Sequence, residues 1–428
     1  MNIPDTEHPR IVIIGGGFGG ISFLKTLKNK PVQLVLLDRH NYHTFQPLLY
    51  QVSTSGLEPD SIAYPLRKIF KFYRDFHFRM ATVEGIDPEA KVVKTSIGNI
   101  SYDYLVIASG TKTNYFGNTE IEQNCMPMKT VPQALNIRSL VLENFERAVI
   151  TEDVETRKSL MNFVIAGAGP TGVELAGALA EFKNGIINSD YPNLNPQEMT
   201  IHLIEGEARV LPPMSEFASK KAEKFLKKMG VFIHLNTFVK NYDGKRVTTN
   251  TDLTIDTDTF IWSAGVTGAA IQGLTKETFT ERGNRYKVDE YSKVVGYENI
   301  FAIGDIAFMA TERYPNGHPM VAQPAIQQGR ALGKNFGRIL KNKPLKPFRY
   351  KDKGTMATVG RNKAVVDFKK LSFGGFFAWF LWMFVHLWFL VGFRNRIVTF
   401  FNWTYNYINF DQAARLIIRP FVREKPKK

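Results

Sequence analysis

Arg10-Ile-Val-Ile-Ile14, Gly15-Gly-Gly17-Phe-Gly-Gly20, a helical run to Lys28, then Val32-Gln-Leu-Val-Leu-Leu37 closing on Asp38: this stretch decides the fold. Gly15, Gly17 and Gly20 have GxGxxG spacing between an apolar β-branched run and a helix, and an acid follows 23 residues after the first glycine. That order is a dinucleotide-binding βαβ unit. Gly15 allows the tight turn, Gly17 lets a pyrophosphate approach the backbone, and Gly20 lets helix and strand pack closely. The helix N-terminus offers unpaired N–H groups to phosphate, and Asp38 is placed to accept from ribose hydroxyls.

A second copy of the pattern starts at Phe163-Val-Ile-Ala166, with Gly167, Gly169 and Gly172 in the same spacing and a helix opening at Val173-Glu174. Ile201-His-Leu-Ile204 closes on Glu205, 38 residues after Gly167, and a polar insertion over residues 183–197 is expected to account for the long interval. Glu207 competes for the role of the acid. Thr259-Phe-Ile-Trp-Ser-Ala-Gly265 mirrors Tyr104-Leu-Val-Ile-Ala-Ser-Gly110, so the repeat has the scale of a domain and implies two dinucleotides. Residues 124–132, holding two prolines, read as a crossing between domains. Asn41 to Gln51 is too aromatic for a solvent loop and is expected to pack beside a cofactor. Later, Asn299-Ile-Phe-Ala-Ile-Gly304-Asp305 delivers an acid at a strand end, and Ala322-Gln-Pro-Ala-Ile-Gln327 opens a helix with Gln323 and Gln327 one turn apart.

A length of 428 residues predicts two or three domains, and 44% hydrophobic residues suffice for ordinary cores. The net charge of +15 points to anionic partners. The motifs assign it to nucleotides and an anionic lipid surface, with no nucleic acid among the expected partners. A single cysteine, Cys125, excludes an intrachain disulfide and an all-cysteine metal site, and no metal is expected. The polar start, Met1 to Pro9, lacks the apolar core of a signal peptide.

Two glycine repeats around a late Gly-Asp strand resemble the two-dinucleotide flavoproteins of the disulfide-reductase-like superfamily. Within it, Phe45-Gln-Pro-Leu-Leu-Tyr-Gln51, Gly167-Ala-Gly-Pro-Thr-Gly-Val-Glu174, Ala302-Ile-Gly-Asp305 and Ala322-Gln-Pro-Ala-Ile-Gln327 resemble type II NADH:quinone oxidoreductase, the single-subunit, non-pumping NADH dehydrogenase. The resemblance implies an α/β fold: two Rossmann-like domains, a discontinuous FAD domain (residues 1–126 and 285–370) with an NADH domain (127–284) inserted, and C-terminal membrane-anchoring helices (371–428). It implies non-covalent FAD at Gly15, Gly17, Gly20, Asp38, Gly110, Gly304 and Asp305, and NADH as substrate at Gly167, Gly169, Gly172, Glu205 and Gly265. Glu174 is expected near the flavin, positioning nicotinamide or relaying a proton. A membrane quinone, menaquinone or ubiquinone, is expected at Gln323, Ala325 and Gln327, with Lys353 as a further donor.

Missing cysteines sharpen the expectation. Disulfide reductases, sulfide:quinone reductases and flavin peroxidases need thiols beside the flavin, and none stands there. The residues from Phe373 to Phe393 contain no Asp, Glu, Lys or Arg; as one helix these 21 residues would be roughly 32 Å long at ~1.5 Å each, enough to span a bilayer core. Three Trp residues and His386 favour an interface over a bilayer centre. Next, Thr399, Asn402, Asn406 and Asn409 share one helical face, while Phe400, Trp403, Tyr407 and Phe410 occupy the rest. From Arg394 on there are eight basic residues against two acidic. The sequence therefore predicts monotopic attachment to the cytoplasmic face of the cell membrane rather than a span, with a homodimer interface as the alternative use of part of the apolar run. A soluble reductase serving an iron–sulfur protein, or an FAD- and NADH-binding signalling protein, are the rival functions; the apolar tail argues against the first.

Overall fold

A computed structural model describes residues 1–409 and 414–418. Phe410 and the basic residues from Arg419 onward, both invoked for the anchor, lie outside the described residues. Chain contacts divide the molecule into two units: Met1–His43, Tyr64–Lys112 and Val266–Lys353 form the first, and Thr44–Ala63, Thr113–Gly265 and Gly354–Lys428 the second.

The first unit is built on a parallel sheet in the order Ile300–Ala302, Tyr104–Ile107, Arg10–Ile14, Gln33–Asp38, Phe76–Met80. Its strands read as continuous apolar runs because both faces are covered. Ile11, Ile13, Leu34 and Leu36 pack with Phe23, Leu24, Leu332 and Phe336 of the helical layer. The alternate residues Val12, Ile14, Val35 and Leu37 pack with Ile86, Val93 and Ile100 of a three-stranded antiparallel sheet.

The second unit repeats the plan: Met126–Pro127, Thr259–Trp262, Asn162–Ala166, Thr200–Ile204 and Val231–His234 form a parallel sheet. Val164 and Ala166 pack with Tyr242, Val247 and Ile255 of another three-stranded antiparallel sheet. Residues 183–190 are not a polar insertion. The glycine helix runs unbroken over Pro170–Asp190, against nine residues for its counterpart Phe18–Thr26. It continues because Phe182, Ile186 and Ile187 prolong its buried face.

The expected 21-residue helix is also shorter. Phe373 and Gly374 pair with Val366 and Val365 as the last strand of an antiparallel meander, Thr355–Gly360, Lys363–Phe368 and Leu371–Gly375. Gly375, at φ 109°, turns the chain into a helix of 14 residues, Phe376–Phe389. At ~1.5 Å per residue that is roughly 21 Å. Among the described residues no helix is long and apolar enough to cross a membrane.

The last helix, Phe393–Asn409, wears its amphipathicity inside out. Asn395, Thr399 and Trp403 are buried, while Phe393, Ile397, Phe400, Phe401, Tyr405 and Ile408 are exposed. Asn395 Nδ2 donates to the carbonyls of Asp60 (2.9 Å) and Ala63 (3.0 Å), and Asn406 Nδ2 to that of Gly56 (3.1 Å). Trp403, placed with the apolar residues from sequence, instead points inward. Phe377, Phe380, Phe384 and Trp388 of the preceding helix recur every three or four residues and are exposed as well, as is Phe376 at its start.

Candidate functional site

The two glycine turns make corresponding hydrogen bonds. Gly15 N donates to Leu37 O at 2.8 Å, and Gly167 N to Ile204 O at 2.8 Å, so each turn leaves its strand still paired to the acid-bearing strand. A Cβ on Gly15 (φ +106°) would lie 2.3 Å from Ala108 O, and one on Gly167 (φ +96°) 2.6 Å from Ala264 Cα. A Cβ on Gly20 or Gly172 would strike the carbonyl of Gly15 or Gly167, which is the close helix–strand packing the spacing predicts. At the middle glycines, Gly17 and Gly169, nothing lies within 4 Å of a built Cβ. These are the open positions where a pyrophosphate can approach.

The acids complete each turn. Asp38 Oδ2 accepts from Gly16 N (2.6 Å) and Oδ1 from His40 N (2.8 Å). Glu205 Oε2 accepts from Ala168 N (2.6 Å) and Oε1 from Glu207 N (3.0 Å). Glu205 rather than Glu207 therefore occupies the position equivalent to Asp38. Each cradle offers open glycines, a helix N-terminus and a carboxylate at the strand end, and the donor set fits a dinucleotide with two free ribose hydroxyls.

Asp305 stands in a single 3-10 turn, Gly304–Ile306, directly after the Ile300–Ala302 strand. The helix Ala322–Ile339 is pressed against Phe18–Thr26: a Cβ at Gly329 would meet Gly19 O at 2.3 Å, and one at Gly333 would meet Thr26 Oγ1. Gln323 and Gln327 share a face, as expected. Gln327 is engaged at both ends of its amide, Nε2 donating to Lys351 O (2.9 Å) and Oε1 accepting from Lys351 N (3.0 Å). Gln323 Oε1 accepts from Lys353 N at 3.3 Å. The two amides thus hold residues 351–353 along the helix. The Lys353 side chain is exposed, and Ala325 is buried within contact of Gly304, 3.3 Å from its built Cβ. Gly110 (φ +69°) and Gly265 close the strands Tyr104–Ile107 and Thr259–Trp262; Gly110 is open to 4 Å, whereas Gly265 has Phe116 Cζ at 3.0 Å.

Glu174 is the fifth residue of the helix Pro170–Asp190, one turn beyond its start, and is buried; Thr358 N approaches its Oε1 at 3.4 Å. Burial pushes its carboxyl up to about 8, moderated by the Thr358 amide and the Trp382 indole. A carboxyl of this kind is mostly protonated at neutral pH, close enough to its midpoint to give up and regain a proton there.

Three polar residues escaped the sequence reading. Buried Gln328 accepts the Gly304 N–H at 2.7 Å and so fixes the turn that presents Asp305. His43 Nδ1 meets Gly16 O at 3.1 Å, and burial lowers its pKa to about 4, keeping the ring neutral beside the phosphate turn. Arg285, buried and close enough to Asp305 to sense its charge, donates to the carbonyls of Ala307 (2.6 Å) and His318 (3.2 Å). Their partners are backbone atoms distant in sequence, which no local motif announces.

The family model described as pyridine nucleotide-disulphide oxidoreductase matches residues 9–329, and that of the NDH2 C-terminal domain matches residues 353–409. A type II NADH:quinone oxidoreductase of Mycobacterium tuberculosis is 36% identical over 95% of this chain and 88% of its own length. This chain belongs to the type II NADH:quinone oxidoreductase family. Another member, from Haemophilus influenzae, is 30% identical over 83% of this chain and 86% of its own. The fold of the family is shared by the NDH2 of Plasmodium falciparum in complex with NADH, with a TM-score of 0.89 at 21% identity, covering 96% of this chain and 100% of that one. A sulfide:quinone oxidoreductase of Aquifex aeolicus has the same fold at a TM-score of 0.73 and 20% identity, covering 96% of each chain.

Proposed function

We propose that the protein oxidises NADH and reduces a membrane quinone to quinol through FAD, without pumping protons. The observation that carries this reading is the duplicated cradle, in which Asp38 and Glu205 each hold a glycine turn open for a dinucleotide, in a chain of this family. FAD held at Gly15, Gly17, Gly20, Asp38, Gly110, Gly304 and Asp305 would supply acceptance of a hydride and release of an electron pair. Gly167, Gly169, Gly172, Glu205 and Gly265 bind and orient NADH. Glu205 accepts from the ribose hydroxyls and repels a 2′-phosphate, which selects NADH over NADPH. Glu174 holds a proton on Oε1 or Oε2 and exchanges it during turnover.

Quinone reduction is assigned to the start of the Ala322–Ile339 helix, where Ala325 is small and apolar and the amides of Gln323 and Gln327 hold the Lys351–Lys353 backbone. Gln327 acts there by fixing the Lys351–Lys353 backbone, and Lys353 supplies positive charge for a developing quinol anion. The exposed aromatic stripes of the last two helices seat the enzyme on one leaflet, at the cytoplasmic face, where its quinone is dissolved. A soluble reductase for an iron–sulfur protein has no use for such a surface. Purified protein should consume NADH rapidly only when a short-chain quinone is supplied, in steady-state assays with and without it. Equal rates in both arms would refute the assignment of quinone as acceptor.

A further inference from the structure

The carboxyl of Glu174 lies in a buried cluster assembled partly by the two C-terminal helices. Trp382, only 1% exposed, brings its indole N–H close to the carboxyl, and that N–H has no hydrogen-bond partner of normal geometry. The Thr358 amide, at 3.4 Å, is also a long donor. Two weak donors facing one buried carboxyl suit a group that is neutral at rest. When the carboxyl loses its proton, both can shorten onto the anion, since donors to a charged acceptor bind more tightly and at shorter range.

We infer that Trp382 is a positioning residue for Glu174: its indole N–H is a reserve donor that pairs with the carboxylate once the proton has left, making the aromatic helix Phe376–Phe389 part of the proton-handling site. The inference rests on the proposed proton exchange at Glu174. The indole is held for this task. His386 Nδ1 donates to Trp382 O at 2.7 Å, and its ring stacks on the indole with centroids 4.1 Å apart. Trp403, from the last helix, lies 5.8 Å from Trp382 between ring centroids and donates from Nε1 to Gln51 Oε1 at 2.8 Å. Gln51 Nε2 in turn donates to Tyr50 Oη at 2.8 Å. Both C-terminal helices are thereby tied by side-chain bonds and ring contacts to the shell around Glu174.

Among the side chains around the carboxyl, the Trp382 indole is the donor that opposes the effect of burial, and the other titratable groups nearby are Tyr50, Glu181 and His386. Tyr50 carries a burial-raised pKa and senses the charge of Glu174. Glu181, two turns along the same helix, is raised by burial and is bonded by Arg361 N, with Lys363 close by. His386 is kept neutral by burial.

The test is a pH titration of the carbonyl infrared band of protonated Glu174 in the FAD-loaded, membrane-bound enzyme, the band being identified by its loss in Glu174→Gln. In Trp382→Phe the ring packing stays and the donor goes. The midpoint should rise by about one pH unit, a tenfold gain in proton affinity, and the alkaline limb of quinone-dependent turnover should move with it. In Thr358→Val, which keeps the backbone amide, the midpoint should stay. An unchanged midpoint in Trp382→Phe with FAD retained would overturn the inference. If Trp382→Phe loses FAD or membrane attachment, Trp382→His, which keeps a ring N–H, decides: a midpoint restored toward the parent supports the inference, and one as high as a donor-free site overturns it. Absence of any titrating band removed by Glu174→Gln would instead count against the proton role of Glu174 itself.

Discussion

Glu205 stands where Asp38 stands in the other unit, and its carboxylate holds the Ala168 amide at 2.6 Å. A 2′-phosphate brought to about 4 Å from it would cost up to about 4 kcal/mol at an effective dielectric near 20, roughly a thousandfold. Glu205→Gln should narrow the NADH over NADPH preference in kcat/KM by one to three orders of magnitude; an unchanged ratio would show that another group reads the ribose. Glu174 makes a second prediction. Its pKa of about 8 in the folded chain exceeds its ordinary 4.5, so the folded state keeps a proton that the unfolded chain releases. Its contribution to stability is complete below about pH 4.5, falls as pH rises and levels off above 8, with an upper bound of roughly 5 kcal/mol lost at ~1.36 kcal/mol per unit. Melting temperatures measured from pH 5 to 8 should therefore decline less in Glu174→Gln than in the parent. Gln327→Ala removes two bonds to Lys351, worth about 1–3 kcal/mol together. Quinone KM should rise or quinone-dependent kcat fall several-fold, while flavin reduction by NADH stays fast in stopped flow. Part of this geometry was legible: the glycine turns and the strand-end acids follow from spacing, whereas Gln328, His43 and Arg285 bond to backbone atoms that only the folded chain brings near.

The helix Ala322–Ile339 sits on Phe18–Thr26 through glycines, and its placement governs the Asp305 turn. Gly329→Ala puts a methyl 2.3 Å from Gly19 O, a backbone atom that cannot step aside. Overpacking of this kind costs about 1–3 kcal/mol, so the variant should lose FAD during gel filtration while the second unit keeps its fold; retained FAD would show that the helices part without moving the turn. At the C-terminal end the sequence announced apolar length but not its partition. Phe373 and Gly374 have strand partners, and only the pairing register with Val366 and Val365 withdraws them from the helix. The polar residues of the last helix were equally readable, though not which of them would turn inward, because the burial of Asn395 depends on the carbonyls of Asp60 and Ala63, which only the folded chain brings near. Replacing Phe377, Phe380, Phe384 and Trp388 together by Ser should release the protein from vesicles in a flotation assay. High salt alone should leave the parent bound, since salt screens charge and not apolar contact.

At the scale of the whole chain, one structural idea is used twice. Each parallel sheet is covered on one face by a three-stranded antiparallel sheet, and each ends its glycine strand in a turn held by the acid of the neighbouring strand. The duplication was visible in sequence because GxGxxG spacing, apolar runs and strand-end acids are local. The 21-residue helix that lengthens the second interval was not, since its extra turns are recruited by tertiary burial of Phe182, Ile186 and Ile187. Two cradles and an aromatic surface are the requirements of an enzyme that takes a hydride from a soluble nucleotide and delivers electrons to a lipid-dissolved acceptor. The most direct measurement is an anaerobic double-mixing experiment on the FAD-loaded, membrane-bound protein. One equivalent of NADH should bleach the flavin absorbance, and a second mix with a short-chain quinone should restore it at a rate no slower than steady-state turnover. A flavin that NADH bleaches but quinone restores more slowly than turnover, or not at all, would contradict the account.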